Sequence, residues 1–274
     1  MASRIFGMPY EKSLPTHSIG AGRDLAPELF PLRISNRYPR DPIGKDFSFR
    51  CDVVGGGTFY CKDDGRGRPI RQTEWFATRL AEHLSVSVPT CRVIEDEHGN
   101  TFFGSMGVIS TAGEFDVRRY LTQPRVDELG RISDWLGRNL SGLYAYDFFL
   151  NNPDRRFGNF VLDRDGFSDR LCAIDFADAR LEDISTDRFP VATSHTVCNG
   201  KILQSLHGFY ADSALEMVDR IAAVPTAIIR GIVEEMPLEW VTNEQRDRIY
   251  ESWSCDLFDS RLSALRAVIR NGPP

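Results

Sequence analysis

The sequence predicts an α+β chain of two lobes, a strand-rich amino-terminal lobe followed by a mainly helical carboxy-terminal one. Three observations predict it. Short runs of aromatic, Val and Cys residues separated by Gly-rich turns fill the stretch from Phe47 to Ile109. Apolar residues at helical spacing dominate beyond about residue 200. Between these regions a polar, turn-forming segment, NNPDRRFGNFVL (Asn151 to Leu162), interrupts a strongly hydrophobic part of the chain.

Residues 1–45 carry Pro9, Pro15, Pro27, Pro31, Pro39 and Pro42 with little periodicity, and read as an irregular arm. Residues 46–125 form the first lobe. There FSFRCDVV and TFYCK are strand-like runs on either side of Gly55, Gly56 and Gly57. After the polar turn DDGRGRP comes a helix in which Trp75, Phe76, Leu80 and Leu84 share a face, with Ala77 and Ala81 beside them; Pro89 is its expected stop. TCRVIE and TFFGSMGVI, joined by the turn HGN, are two further strands. Residues 126–274 form the second lobe. It opens with a helix over 131–150, on which Leu136, Leu140, Leu143 and Tyr144 share a face. The polar segment follows, then a hairpin of FVLD and LCAID around DRDG. Helical patterns complete it, with boundaries at Pro225 and Pro237 and a long tail, RDRIYESWSCDLFDSRLSALRAVIR.

Composition removes several function classes. A formal net charge of -6 over 274 residues argues against a broad nucleic-acid surface, which needs clustered Lys and Arg. Six scattered cysteines without a CxxC pair suggest neither a zinc site nor a disulfide framework. No apolar run approaches the ~20 residues of a membrane span, and the first residues lack the apolar core of a signal peptide. A cytoplasmic protein without membrane contact is expected.

The polar segment can be read as chemistry. Phosphoryl transfer from ATP needs a carboxylate to accept the proton of the attacking hydroxyl and oxygen ligands for Mg²⁺ between the phosphates. Asp154 and Asn159 stand at the spacing of the base and the metal-binding amide in the catalytic loop of eukaryotic-type kinases. LCAIDFADA then places Asp175 at the end of the following hairpin, where a second metal ligand is required. In the first lobe, Gly55, Gly56 and Gly57 would let the backbone approach phosphates, and Lys62 would reach them. Glu74, twelve residues after Lys62 and early in the helix, would hold that lysine. Taken singly, each residue has a plainer reading: an Asx turn, a hairpin, a surface ion pair, a helix cap. Their order carries the functional reading. Asp147 falls on the apolar face of its helix, and its expected role is to anchor the backbone of the catalytic loop.

YDFFLNNPDRRFGNFVL followed by LCAIDFADA resembles the HipA-like kinases, and FYCKDDGRGRPIRQTEWFATRLAEHLSVSVPTCRVIE is similar to their nucleotide-binding lobe. The resemblance runs from about Tyr60 to Ala179. It implies a bilobed protein-kinase-like fold in a compact form without the family's additional amino-terminal subdomain. It implies Asp154 as catalytic base, Asn159 and Asp175 as Mg²⁺ ligands, and Lys62 on the ATP phosphates with Glu74 in support. ATP and Mg²⁺ are the implied cofactors, a Ser or Thr hydroxyl of a protein the implied acceptor, and an antitoxin-like regulatory protein a partner to look for. Where the family has His after its Asp-Arg pair, this chain has Arg156, and its second metal motif reads DFAD. Self-phosphorylation in the family points to Ser105, Ser110 or Thr111 in FGSMGVISTAGEFD. A small-molecule or lipid kinase and a nucleotide-binding pseudokinase are the rival readings.

Overall fold

A computed structural model of the chain describes residues 30–39, 48–108, 113–123, 130, 133–164, 169–184 and 186–272. Five strands, β1 (Leu32–Tyr38), β2 (Phe49–Val53), β3 (Thr58–Lys62), β4 (Cys91–Glu95) and β5 (Thr101–Met106), close into a barrel in the order β1-β2-β3-β5-β4. Alternation builds its interior: Phe49, Cys51 and Val53 point inward from β2, and Phe59 and Cys61 from β3, to meet Ile94. The four expected strands are therefore present, and β1 is a correction. Leu32–Tyr38 lies within the stretch expected to be an irregular arm, yet it pairs antiparallel with β2 and parallel with β4, where Leu32 stands opposite Ile94. Pro31 and Pro39 flank the strand without entering it, so its ladder loses no donor to them. The remainder of the expected arm, residues 1–29 and 40–45, lies outside the described residues.

Helix α1 (Ile70–His83) follows β3 in the chain but does not share the barrel's core. Its Trp75, Phe76, Ala77, Leu80 and Ala81, and Leu84 just beyond it, belong to a larger core made mainly with the carboxy-terminal helices. Burying one such large side chain contributes roughly 1.5–3 kcal/mol. The helix ends before Pro89. Ser85 adopts φ 60°, and Val86 N–H donates to Ala81 O at 2.8 Å, the bond that closes a left-handed helix end.

A short helix not foreseen from the sequence, α2 (Glu114–Thr122), leads to α3 (Trp135–Phe149). Its segment, GEFDVRRYLTQ, has only Val117, Tyr120 and Leu121 buried, a weak helical signal. Helix α3 is apolar nearly all round and accordingly buried along most of its length. It delivers the polar segment, after which β6 (Phe160–Arg164) and β7 (Asp169–Ala173) form the expected hairpin. Five helices complete the fold: α4 (His195–His207), α5 (Ala211–Ala222), α6 (Thr226–Glu234), α7 (Asn243–Trp253) and α8 (Asp256–Arg270). The tail expected as one run is broken at Ser254 and Cys255 into α7 and α8. No helix among the described residues is long and apolar enough to cross a membrane.

Candidate active site

Lys62 ends β3 on the face that β3 turns away from the barrel interior. Its ammonium donates to Glu74 Oε1 at 2.5 Å and to Asp175 Oδ1 at 2.7 Å. Glu74, buried on α1, also accepts the Phe176 N–H at 3.1 Å. Three residues expected to act together, from a strand, a helix and the end of a hairpin, are thus in contact. Burial opposes the charge on Lys62, but Glu74 and Asp175 hold the ammonium above the usual lysine range. Burial pushes the Glu74 carboxyl up, against the pull of Lys62. Burial likewise opposes ionisation of Asp175, yet Lys62 draws its carboxyl below the usual range. Asp175 has φ 62°, a left-handed conformation that Asp tolerates better than most residues and that recurs at functional sites.

The polar segment is rigidly tied down. Asp147 is buried in α3 and accepts Arg155 Nε at 2.8 Å on one oxygen and Arg155 Nη2 at 2.9 Å on the other. Asn152 Nδ2 adds a bond to Asp147 at 2.7 Å. The anchoring role expected of Asp147 is what its contacts describe. Arg155 extends the network: its Nη1 donates to Asn159 O at 3.0 Å and also to Ile174 O, and its guanidinium stands 4.6 Å from the centre of the Phe176 ring. One buried cation thus joins helix α3, the loop and the end of the hairpin. Sequence reasoning did not single out Arg155. The available signal was Asp147 itself, since a carboxylate on an apolar helix face requires a buried donor.

Asp154 projects from this frame, about one quarter exposed. Arg156 Nε and Nη2 approach its Oδ1 at 2.8 and 2.7 Å, and His195 Nε2 lies 3.9 Å from the same oxygen. Helix α4 holds the loop from the other side. Thr196 Oγ1 donates to Asn152 O at 2.6 Å, accepts the Arg155 N–H at 3.0 Å, and the Thr196 N–H donates to Pro153 O at 3.1 Å. Asn159 Nδ2 donates to Asp154 O at 2.7 Å, which fixes the amide and leaves Oδ1 as an acceptor. Arg261 of α8, also missed from the sequence, is buried and donates to Phe148 O at 2.8 Å and to Phe149 O at 2.9 Å. It adds to the Asn151 N–H on Phe148 O and caps Phe149 O where α3 hands over to the loop.

The glycines are a correction. Gly55, Gly56 and Gly57 have φ 93°, 100° and 103° and make the β2–β3 turn, closed by Val53 N–H to Gly57 O at 3.2 Å. The register pairs Asp52 with Thr58 next to this turn, whereas Lys62 lies at the other end of the hairpin, beyond the pair Phe49 and Cys61. Four residue steps of strand, about 13 Å, separate Thr58 from Lys62. The glycines are needed for a tight turn and are not brought to the lysine. Ser105 sits within the β5 ladder, opposite Cys91 and Tyr60, while Ser110 and Thr111 lie outside the described residues.

The donor set suits a hard cation shared with phosphates: an amide oxygen on Asn159 and a carboxylate on Asp175, with Lys62 as a phosphate donor. Among the described residues, no group of three or more His, Cys, Asp or Glu could hold a metal without such help. Asp154 presents a carboxylate about one quarter exposed and paired at one oxygen with Arg156.

A family model described as HipA-like kinase matches residues 39–267. Among solved structures, a proinflammatory kinase, CtkA, of Helicobacter pylori is similar with a TM-score of 0.55 at 11% identity, covering 86% of this chain and 96% of that one. HipA of Shewanella oneidensis, solved with HipB and operator DNA, gives 0.41 at 10% identity, covering 86% of this chain and 65% of that one. A Golgi casein kinase with Mn/ADP bound gives 0.43 at 10% identity, covering 86% of this chain and 74% of that one. No curated protein matches the chain.

Proposed function

The chain belongs to the HipA-like kinase family, and we propose that it transfers the γ-phosphoryl group of ATP to the hydroxyl of a Ser or Thr on a protein. The observation that carries this reading is the meeting of Lys62, Glu74 and Asp175 within 2.7 Å contacts. Membership of a kinase family supports phosphotransferase activity, and the fold shared with the Helicobacter kinase is consistent with it.

In this reading Asp154 orients the acceptor hydroxyl and takes its proton. The hydroxyl oxygen forms a bond to the γ-phosphorus, the bond from that phosphorus to the β-phosphate oxygen breaks, and ADP leaves. Lys62, held by Glu74, binds phosphate oxygens of ATP. Asn159 and Asp175 would hold Mg²⁺, which when bound neutralises phosphate charge. Arg155 and Asp147 keep the loop in register with the hairpin, so catalysis rests on positioning and charge. Arg156 pairs with the base through a half-exposed guanidinium, a contact worth roughly 0–1 kcal/mol that an incoming group can displace. The division of labour follows the expected lobes, nucleotide on the strand-rich side and acceptor on the helical side. A cytoplasmic setting and a regulatory partner protein belong to the same proposal.

The test is to incubate the purified protein with γ-labelled ATP and Mg²⁺, alone and with cell extract, beside Asp154→Asn and Asp175→Asn, and to identify labelled species by mass spectrometry. Labelled Ser or Thr peptides made by the wild type alone are expected. Transfer that survives both substitutions would sink the assigned roles, and absence of ATP binding would sink the kinase reading.

A further inference from the structure

Helix α1 presents two working faces. Glu74 looks to Lys62, while Arg71, Trp75 and Arg79, spaced four residues apart, look to the carboxy-terminal helices and to β5. Each of these three is held by a specific contact. Arg79 forms a two-pronged pair with Glu235, just after α6, with Nε to Oε2 at 3.0 Å and Nη2 to Oε1 at 3.1 Å. Trp75 Nε1 donates to Ile232 O of α6 at 3.0 Å. Arg71 Nη1 donates to Thr101 O of β5 at 2.8 Å and stacks 5.5 Å from the Trp240 ring. Trp240 closes the arrangement, donating Nε1 to Thr101 Oγ1 at 2.7 Å and meeting the Trp75 ring edge-on at 5.9 Å. Thr101 Oγ1 in turn donates to Glu239.

A helix held at one turn can pivot, but one held at three successive turns, over about 12 Å, cannot rotate about its axis. Rotation matters here because Glu74 is the residue next to Trp75, and a shift of one position, about 100°, would carry its carboxylate off Lys62. We propose that the corner between α6 and α7, through Glu235 and Trp240, is a brace that positions Glu74 on Lys62. Glu235 and Trp240 are then positioning residues for the phosphate-binding lysine. The inference rests on the reading of Lys62 given above. It also means that the Lys62–Glu74 pair is set by the fold, from residues 156 or more positions later in the chain than α1's Arg79, and not by a movable segment near the loop.

The readout that follows the pair without needing turnover is acylation of the Lys62 amine by an amine-reactive ester, measured peptide by peptide by mass spectrometry, with exposed Lys201 as internal control. Glu74→Gln sets the rate for a Lys62 held by Asp175 alone. The brace predicts that Glu235→Ala and Trp240→Phe, each still folded by circular dichroism, raise the Lys62 rate toward that of Glu74→Gln, while Lys201 is unchanged. In the Glu74→Gln background the same substitutions should add nothing, whereas independent distant sites add. An unchanged Lys62 rate in both single variants overturns the brace. So does an equal rise with and without Glu74, which would mean general loosening. ATP turnover by the wild type, assayed in parallel, reports on the kinase reading separately.

Discussion

Lys62 and Glu74 are 2.5 Å apart but stand on different cores. Lys62 ends a strand of the barrel, whose interior consists of Phe49, Cys51, Val53, Phe59, Cys61 and Ile94, with Leu32, Ile34 and Phe102 at its margin. Glu74 rides on a helix whose apolar face belongs to the large core that also holds Tyr146, Phe149 and Leu150, immediately before the polar segment. The glutamate, Asp147 and Arg155 therefore share one packed body, and the lysine is brought to them by another. A small core buries less apolar surface and opens more readily. Lys62 thus sits on the smaller core, which is expected to yield first, and Asp154 on the loop tied to the larger one.

That contrast can be broken most forcefully at Asp147. Asp147→Ala leaves the buried Arg155 without its partner and should cost about 3–5 kcal/mol in denaturant unfolding, with loss of phosphoryl transfer. A cost below 1 kcal/mol would show that the loop is not held through the large core. Removing one phenyl ring from each core sharpens the comparison. Phe76→Ala should lower global stability by about 3–5 kcal/mol. Phe59→Ala should instead speed amide exchange in β2 and β3 while α3, α5 and α8 exchange as in the wild type; faster exchange everywhere would merge the two cores into one. Glu74→Gln keeps shape and removes charge. It should lower kcat/KM for ATP by roughly 10–100-fold, the worth of a hydrogen bond to a charged group, without changing exchange in the barrel. The smallest effect is expected at the hairpin turn. Gly55→Ala forces a side chain to φ 93° and should cost about 1 kcal/mol, with KM for ATP unchanged because the turn lies away from Lys62. A large rise in KM would restore the glycines to the nucleotide site.

The sequence made the site more legible than the scaffold that holds it. Alternation in FSFRCDVV and TFYCK marked their strands, and of the ordered residues Lys62, Glu74, Asp154, Asn159 and Asp175 the fold brings Lys62 onto Glu74 and Asp175 and ties Asn159 to Asp154. Strand β1 was hidden because the surrounding prolines dominate the composition of its neighbourhood, although none lies inside Leu32–Tyr38. The glycines misled for a different reason. A Gly run reads alike as a phosphate cradle or as a turn, and only the register, with Phe49 opposite Cys61, says which end of the hairpin faces the lysine. Arg155 was signalled by Asp147 eight positions before it, whereas Arg261 and the contacts of Arg79 with Glu235 were illegible because their partners are backbone carbonyls or residues far along the chain. No local pattern encodes such pairs.

The most direct test of the central claim, that Lys62 joined to Glu74 and Asp175 forms the phosphate-binding end of the site, is calorimetric titration of Mg·ATP into Lys62→Ala beside the wild type. Losing a charge-assisted contact to phosphate should weaken binding by roughly 10–100-fold, with the fold intact by circular dichroism. Binding of Mg·ATP by Lys62→Ala at the wild-type affinity would contradict the account.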